Sequence, residues 1–361
     1  MKKKILFVAP NLHHGGAEAV LVKILNNLDL SKYEVKLALI KKEGDHLTKL
    51  SNSIDVIDLN SKKTILAVPK LIKLIAEVKP DFVFSIIGQV NLILAGIKTI
   101  FFKKICFIGR ENAVYSEWLF KEITIKKKIF ASVYKILLKK LDYIVVQSNF
   151  MADQVKTYFK VKPGKIIILN NPIENTKIKV LSSEADLGEL WNKNKINLTA
   201  VGRIEDVKNY KEMVDIQSML PEKFHLNILG DGKEKNKLEE YIKNKGLSNR
   251  VTIHGFVENP YKYMNHSLAL LLTSKRESFP NVVLEANACG TYVISYKMPG
   301  GINEIIQDNI NGSLVPLGDQ QYFSIKIQEL FNTGYDSKRV RECSEKFSMD
   351  KYMKSFDDLF L

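Results

Sequence analysis

Two glutamates with seven residues between them stand where a predicted strand turns into a predicted helix. Residues 274–290 read S-K-R-E-S-F-P-N-V-V-L-E-A-N-A-C-G, so Glu277 precedes the helix and Glu285 lies about two turns inside it. The preceding apolar run, residues 268–272, predicts a buried parallel strand. Open α/β sheets bind ligands beyond the carboxyl ends of their strands, where helix N-termini favour anionic or hydroxyl-rich groups. Two carboxylates there could accept hydrogen bonds from two sets of hydroxyls, although single glutamates are more often solvated surface charges.

A glycine, an arginine and a lysine follow the first predicted strand of the second half of the chain, in the string V-G-R-I-E-D-V-K-N. Arg203 can bind a phosphate through two parallel hydrogen bonds, and Lys208 supplies a mobile positive charge. Fixed cations of this kind can stabilise the charge of a phosphate leaving group without a metal ion. Taken alone, the two residues are also typical of a solvated surface.

The elements that must position these residues alternate between strands and helices along the whole chain. Strands are predicted near residues 5–9, 34–40, 55–59, 81–87, 104–108 and 143–147, and again near 198–201, 225–229, 251–254, 268–273, 292–295 and 313–315. This alternation is typical of doubly wound parallel sheets, and its repetition predicts an α/β protein of two Rossmann-like domains facing across a cleft. The predicted segments are residues 1–173, an irregular polar linker at 174–195, a second domain at 196–346 and a C-terminal helix at 347–361.

Length and composition indicate a two-domain globular protein. The chain has 361 residues, of which 45% are hydrophobic, and no uninterrupted apolar stretch reaches the ~18 residues that a membrane-spanning helix needs. The three cysteines are far apart, which favours a reduced, cytoplasmic compartment and no zinc site. The H-H-G-G corner after the first strand is not the G-x-G-x-x-G fingerprint of dinucleotide binding, which argues against a nicotinamide enzyme.

The net charge of +14, from 54 lysines and arginines against 40 acidic residues, predicts a polyanionic partner. Composition leaves nucleic acid, an anionic membrane and phosphorylated substrates open. Residues 121–140 hold seven lysines and one glutamate, and apolar residues share the rest of a predicted helix. This pattern fits a basic amphipathic helix on anionic lipid, while burial of the apolar stripe in a core is the alternative.

The string S-x-x-E-S-F-P-N-V-V-L-E-A-x-A-x-G resembles the E-x7-E signature of the retaining glycosyltransferases of family 4, which have GT-B architecture. The earlier G-R string with its K-N resembles the arginine and lysine with which that family holds the donor diphosphate. The resemblance implies that Glu277 and the amides of Ser278 and Phe279 hold the sugar hydroxyls. It implies catalytic roles for Glu277 with Arg203 and Lys208, and no metal ion or other cofactor.

The same resemblance assigns the rest of the donor site and the roles of the domains. It implies that Glu285 binds the ribose hydroxyls. Residues 1–173 become the acceptor-binding domain, residues 196–346 the nucleotide-sugar-binding domain, and the C-terminal helix crosses back to the first domain. The other implied donor-binding residues are Gly15, Gly16, Gly202, Gly230, Asp231, Gly255, Phe256, Pro280, Asn281 and Val282.

The first half departs from the family pattern where many members carry a histidine close to the reacting sugar. The corresponding place reads I-G-R-E-N, which is similar to a variant found in bacterial surface-polysaccharide transferases. Arg110, Glu111 and Asn112 are therefore candidates for acceptor contact, diphosphate contact or scaffolding. His13 and His14, in the glycine corner, are the other candidates for the acceptor side.

Together these features predict a cytoplasmic retaining transferase that is peripheral on the inner face of the cell membrane. It would move a hexose or N-acetylhexosamine from a UDP-sugar to a lipid-linked or growing glycan of a bacterial lipopolysaccharide or capsule. A nucleotide-sugar epimerase or glucan synthase on the same architecture is the first alternative. A basic nucleic-acid-binding protein is the second, and it is disfavoured because no recognisable binding module is present.

Overall fold

The computed structural model describes residues 2–13, 15–114, 125–189 and 191–360, with the side chains of residues 125–128 left out. The chain divides into two compact units. The first unit comprises residues 1–172 together with 349–361, and the second comprises residues 173–348. Within the described residues, no helix is both long enough and apolar enough to cross a bilayer.

The first unit is built on a parallel sheet with helices on both faces. Its elements are β1 (Lys3–Ala9), α1 (Gly16–Asn26), β2 (Tyr33–Leu39), β3 (Asp55–Asp58), α2 (Val68–Val78), β4 (Phe82–Ser85), α3 (Gly88–Ile100), β5 (Cys106–Arg110), α4 (Ile125–Leu138), β6 (Tyr143–Val146), α5 (Asn149–Phe159) and β7 (Ile166–Ile168). In the described part of this unit, seven strands pair in the order β3-β2-β1-β4-β5-β6-β7. The order reverses between β1 and β4, as in doubly wound folds.

Strand β1 shows why the sheet lies between two apolar layers. Successive side chains of a strand point to opposite faces. Ile5 and Phe7 accordingly pack in one buried cluster, while Leu6 and Val8 pack in the other. Because both faces are covered, the strand is a continuous apolar run, which is the pattern that the sequence predicts for a parallel sheet.

The second unit repeats this architecture with a smaller sheet. Its elements are α6 (Asn175–Ser182), β8 (Ile196–Val201), α7 (Tyr210–Met219), β9 (Phe224–Leu229), α8 (Lys235–Asn244), β10 (Val251–Gly255), α9 (Tyr261–Asn265), β11 (Ala269–Leu272), α10 (Asn281–Cys289), β12 (Tyr292–Tyr296), α11 (Ile302–Ile305), β13 (Gly312–Val315), α12 (Gln320–Thr333) and α13 (Ser337–Ser344). Its described strands pair in the parallel order β10-β9-β8-β11-β12-β13. The predicted α/β architecture of two Rossmann-like folds is confirmed for each unit.

The segment expected to be an irregular linker, residues 174–195, is instead part of the second unit. It contains α6, which contacts α9 and α10, and the buried side chain of Ile178 joins the core there. Leu187 and Trp191 are also buried, and the indole packs edge-on against Tyr263. Because the segment is mostly polar, its composition did not predict that these few apolar side chains are buried in the core of the second unit.

Two further expectations near the site are corrected. Helix α10 begins at Asn281 and Pro280 lies just before it, so Glu285 is about one turn inside the helix instead of two. The predicted strand at residues 104–108 lies two residues later, at β5, which makes Arg110 its last residue. That shift places the R-E-N string at the carboxyl end of a central strand.

The last helix, α14 (Met349–Asp357), packs within the first unit. Its Phe356 stacks on Phe7 and meets Phe84 edge-on, so the helix completes the core on one face of the sheet. Asp357 accepts hydrogen bonds from Lys32 at 2.8 Å and from the Tyr33 hydroxyl at 2.9 Å. These contacts tie the end of the chain to the start of β2.

Candidate functional site

The loop between β11 and α10 is held against the turn that follows β8. The amide of Lys275 donates to the carbonyl oxygen of Val207 at 2.9 Å, and the Thr273 hydroxyl lies 3.2 Å from the carbonyl oxygen of Lys208. Strands β8 and β11 are neighbours in the sheet, so their carboxyl ends meet at one edge. The two strings that the sequence singled out are therefore one structural site.

Glu277 is the centre of this site. The Lys208 Nζ atom lies 2.5 Å from its Oε1 atom, and the Ser274 hydroxyl donates to the same oxygen at 2.8 Å. Both side chains of the ion pair are partly open, at 17% exposure for Glu277 and 22% for Lys208. Among the described residues, the second carboxylate oxygen, Oε2, has no hydrogen-bond partner. The site thus offers one anchored oxygen and one oxygen that can accept a hydroxyl.

The backbone of Glu277 is held by a glycine from the next loop. Glu277 pairs with Gly300 in an isolated bridge, and the amide of Gly301 donates to the carbonyl oxygen of Ser278 at 2.9 Å. Gly300 has φ +133°, and a Cβ atom added to it would stand 1.5 Å from the Glu277 carbonyl oxygen. Only glycine permits so close an approach.

Three glycine turns converge at the carboxyl ends of β8, β9 and β10. A Cβ atom on Gly230 would stand 2.0 Å from the Gly202 carbonyl oxygen, and one on Gly202 would stand 3.8 Å from the Lys208 Nζ atom. The amide of Gly230 donates to the carbonyl oxygen of Gly255 at 2.7 Å. Because these glycines have no side chains, the backbone around Lys208 is open, so a phosphate could approach it.

The remaining residues of the first two turns have separate surroundings. The exposed Arg203 Nη1 atom lies 3.3 Å from Glu205, 64% of the arginine side chain being accessible. The Asp231 carboxylate accepts from the amide of Gly232 at 2.6 Å, so it stabilises its own turn. The Phe256 ring is 62% exposed beside Gly255, as a flat apolar surface at the edge of the site.

Glu285 lies on the same helix that the Glu277 loop enters. Its negative charge is the main cause of the raised pKa of Tyr261, and burial is the second cause. Phe279 is buried with its ring 5.6 Å from that of Phe347, which leaves only its backbone for a ligand. The neighbouring Ser278, Asn281 and Val282 are partly buried, while Pro280 is buried, at the start of α10.

In the first unit, the glycine corner lies at the N-terminus of α1. Gly15 is the capping residue with an extended backbone, and Gly16 is the first helical residue. The Glu18 carboxylate folds back over Gly15, where a Cβ atom would stand 2.0 Å from its Oε2 atom. His13 lies 3.3 Å from Glu43 at the surface, and His14 lies outside the described residues.

Arg110 is completely buried and serves as a link within the first unit. Its Nη1 atom donates to the Tyr352 hydroxyl at 3.2 Å and its Nη2 atom to Asn171 at 2.5 Å. Tyr352 belongs to α14, so this cation connects the end of β5 to the last helix. This geometry supports the scaffold role of Arg110 and gives no support to a direct acceptor contact.

Glu111 is also buried, which argues against direct acceptor contact for this residue too. Its carboxylate accepts from the Tyr134 hydroxyl at 2.7 Å and from Asn91 at 2.5 Å, and burial raises its pKa to about 7. Asn112 is only partly buried and accepts from Gln147 at 2.7 Å. Of the three residues in the R-E-N string, Asn112 alone reaches the surface beyond the strand ends.

Comparison with known proteins identifies the family. The model of "Glycosyltransferase Family 4" matches residues 14–177, and the model of "Glycosyl transferases group 1" matches residues 184–347. The chain belongs to glycosyltransferase family 4. An uncharacterized glycosyltransferase of Methanocaldococcus jannaschii is 31% identical over 254 residues, which are 67% of this chain and 62% of that protein, so this chain spans less than two thirds of its length.

Two further comparisons concern the length and the fold of this chain. It is 28% identical over 333 residues to the Campylobacter jejuni N-acetylgalactosamine-N,N'-diacetylbacillosaminyl-diphospho-undecaprenol 4-alpha-N-acetylgalactosaminyltransferase, covering 89% of this chain and 87% of that protein. The crystal structure of Anabaena HepE in complex with UDP-glucose superposes with a TM-score of 0.80 at 19% identity over 99% of both chains. The fold is therefore GT-B, as the resemblance of the motifs implied.

Several residues that contact the candidate site residues were not singled out from the sequence. Ser274 was visible as the first letter of S-x-x-E, but a serine three residues from a glutamate is not a signal by itself. Gly300 stood in a P-G-G turn that could have been ordinary punctuation. In the first unit, the partners of Glu111 are Asn91 on α3 and Tyr134 on α4, and no sequence spacing indicates either.

The raised pKa of Glu111 leads to a prediction about stability. A carboxyl group whose pKa rises from 4.5 unfolded to about 7 folded retains protons in the native state that the unfolded chain has lost. The free energy of unfolding should therefore fall by roughly 3 kcal/mol as pH rises from about 4.5 to 7, and then stay level. Chemical denaturation of the wild type and of Glu111→Gln across this range measures it. The difference in unfolding free energy between the two proteins should change with pH. A difference that stays constant across this range would contradict the raised pKa of Glu111.

Proposed function

We propose that this protein is a retaining transferase that moves a hexose or an N-acetylhexosamine from a UDP-sugar to a lipid-linked or growing glycan. The observation that carries the proposal is the Glu277 carboxylate, anchored through Oε1 by Lys208 and Ser274 with Oε2 left for a sugar hydroxyl. A screen of UDP- and GDP-sugars for donor hydrolysis and for transfer tests it. The proposal would be contradicted if none of these donors released its nucleoside diphosphate.

The donor side of the proposal uses cations of this chain. Lys208 lies beside the open backbone of Gly202, and Arg203 is on the same turn with an accessible guanidinium. Both can meet a diphosphate as its bond to the sugar lengthens and negative charge develops. We propose that no metal ion is needed. Turnover unchanged by a chelator supports this, and loss of turnover restored by a divalent cation would overturn it.

The proposed stereochemistry follows from the same groups. In front-face attack the departing diphosphate oxygen takes the acceptor proton, so the protein needs to orient the reactants, exclude water and stabilise developing charge. Glu111, the one carboxylate of the R-E-N string, is completely buried and is not exposed to act as a base on the acceptor. The proposal therefore does not require a general base, and its acceptor proton goes to the leaving group.

This mechanism predicts the effect of Glu277→Gln and the configuration of the product. The variant should keep UDP affinity within a few-fold but lose most transfer, because it disturbs the sugar and leaves the cations in place. The product should have the anomeric configuration of the donor, axial for an α-linked UDP-sugar. Anomeric proton couplings measured by NMR decide the second point. A β-linked product from an α-linked donor would overturn retention.

A lipid-linked acceptor is supported by the Campylobacter jejuni relative, whose name contains diphospho-undecaprenol. An epimerase on the same architecture would convert the donor without an acceptor. We therefore expect UDP release to rise in proportion to added acceptor, measured with polyprenyl-diphosphate-linked sugars. UDP-sugar interconversion that is independent of acceptor would favour the epimerase.

The proposal also includes peripheral binding to an anionic membrane, and α4 supplies a face for it. One side of the helix packs Tyr134 and Leu138 into the core. The opposite side exposes Ile129 at 59%, Val133 at 43% and Ile136 at 61%. The described apolar residues of α4 therefore divide between a core face and an exposed face, and the exposed face supports the proposal. Lys121 and the side chains of Lys126, Lys127 and Lys128, which carry much of the expected charge, lie outside the described residues.

A second exposed apolar pair lies over the same face of the sheet. Ile65 and Leu66 are 64% and 60% exposed in a short turn that contacts α3, and α3 also contacts α4. The exposed Lys62 and Lys63 precede this pair. Apolar side chains beside lysines suit the boundary between headgroups and acyl chains of an anionic bilayer.

Replacing Ile129, Val133 and Ile136 together by serine should weaken binding to anionic vesicles by tenfold or more, because three apolar side chains no longer enter the lipid. Co-sedimentation with phosphatidylglycerol-containing vesicles at low and high salt measures this. The matched control is Leu317→Ser with Ile325→Ser, exposed apolar residues of the second unit. Equal binding to neutral and anionic vesicles, or an unchanged triple variant, would contradict the proposal.

A further inference from the structure

Ser274 stands out because it is completely buried and yet contacts the one carboxylate on which the proposed donor site depends. Its hydroxyl donates to Oε1 of Glu277 at 2.8 Å across the loop between β11 and α10. That loop is fixed by backbone hydrogen bonds from Lys275 to Val207 and from Glu277 to Pro299. The hydroxyl therefore has a defined position relative to the carboxylate.

Lys208 cannot hold Glu277 in the same way throughout the reaction. In the present structure its ammonium group lies 2.5 Å from Oε1. The proposed function requires the same group to meet the donor diphosphate, which carries a larger negative charge. A flexible lysine that turns toward the diphosphate weakens its hold on the carboxylate. Glu277 then needs another donor if it is to stay oriented toward the sugar.

We infer that Ser274 is the positioning residue of Glu277. Its hydroxyl keeps Oε1 in place when Lys208 turns to the diphosphate, so that Oε2 remains directed at a sugar hydroxyl. This inference rests on the proposed function, because it assigns to Ser274 an effect on the sugar and none on the nucleotide. Loss of Lys208 should therefore weaken binding of the nucleotide, whereas loss of the Ser274 hydroxyl should weaken only binding of the sugar, although both groups donate to one oxygen.

The test compares the affinities of a UDP-sugar and of UDP alone for the full chain by calorimetry, together with kcat and KM. In Ser274→Ala, the affinity for the UDP-sugar relative to that for UDP alone should fall by roughly tenfold to a hundredfold, the range for a lost hydrogen bond to a charged group. The kcat should fall by a similar factor. The affinity for UDP should stay within twofold of wild type. Ser274→Cys, with similar volume and a weak donor, should behave alike and keeps the test valid if alanine impairs folding.

The matched control is Ser295→Ala, which removes an equally buried serine hydroxyl that donates to the Tyr296 carbonyl oxygen at 3.0 Å. It should leave the affinity ratio unchanged. In a double-mutant cycle, Ser274→Ala should add little to the loss already caused by Glu277→Gln. An equal loss in both backgrounds, or an unchanged ratio in active Ser274→Ala, overturns the inference. A wild type that neither binds nor uses any nucleotide sugar overturns the proposed function itself.

Discussion

Lys208→Ala is expected to lower turnover by roughly a hundredfold to a thousandfold, the range for losing one preorganised contact to developing charge. The ammonium group lies above the open backbone of Gly202 and 2.5 Å from Glu277. Its removal takes a positive charge from the diphosphate and the ionic partner from the carboxylate. Steady-state rates of UDP release, with UDP affinity by calorimetry, measure both effects.

The matched control for this variant is Lys275→Ala. Lys275 lies in the adjacent loop and pairs with Asp206 at 2.8 Å, so the variant removes an equal charge close by. It should change turnover by less than about threefold, since exposed ion pairs contribute little. Arg203→Ala should follow Lys208→Ala in direction, with a loss of about a hundredfold. Near-normal turnover in folded Lys208→Ala, or equal losses in Lys208→Ala and Lys275→Ala, would contradict the diphosphate assignment.

Gly300→Ala is expected to be at least as damaging, and through the backbone. The added methyl would stand 1.5 Å from the carbonyl oxygen of Glu277, at a φ of +133° that alanine avoids. The two segments must separate by more than an ångström, which should cost roughly 3 kcal/mol of unfolding free energy. Because Glu277 moves with its backbone, turnover should fall more than about a hundredfold. Chemical denaturation and kinetics of the same preparation measure the two effects.

Gly246→Ala separates the clash from the strain. Gly246 also has a positive φ, +68°, but a Cβ atom there would meet nothing within 4 Å. This control should lose only about 1 kcal/mol and should keep its turnover. If Gly300→Ala behaved like Gly246→Ala in both measurements, the close approach of the two loops would not be what holds Glu277.

Read together, the variants divide the site by function. Losses in Lys208→Ala should appear with UDP alone, whereas losses in Glu277→Gln and Ser274→Ala should appear only with the sugar attached. Gly300→Ala should affect stability as well as activity, because it acts on the backbone beneath these side chains. This division follows from the contacts of Glu277. Lys208 and Ser274 both donate to its Oε1 atom, Gly300 packs against its main chain, and its Oε2 atom is open.

The sequence by itself determined the fold and the location of the candidate site. Continuous apolar runs alternating with helical patterns predicted two parallel sheets, because strands covered on both faces must be apolar throughout. The E-x7-E and G-R strings stood after strands, and strand ends meet at one edge of a sheet. The resemblance to glycosyltransferase family 4 depended on those residues and is confirmed by the family models.

Only the tertiary structure decided which residues act on which. Lys208 and Glu277 are 69 positions apart, and Arg110 and Tyr352 are 242 apart, so no local spacing could pair them. The R-E-N string was a candidate for acceptor contact, diphosphate contact or scaffolding, and Arg110 and Glu111 are buried because β5 ends two residues later than its composition suggests. The apolar residues of α4 were one stripe in the sequence, and packing against the sheet divided them into a core face and an exposed face. Local sequence patterns specify helices and strands, whereas contacts between residues distant in the sequence determine which side chains act together in the site.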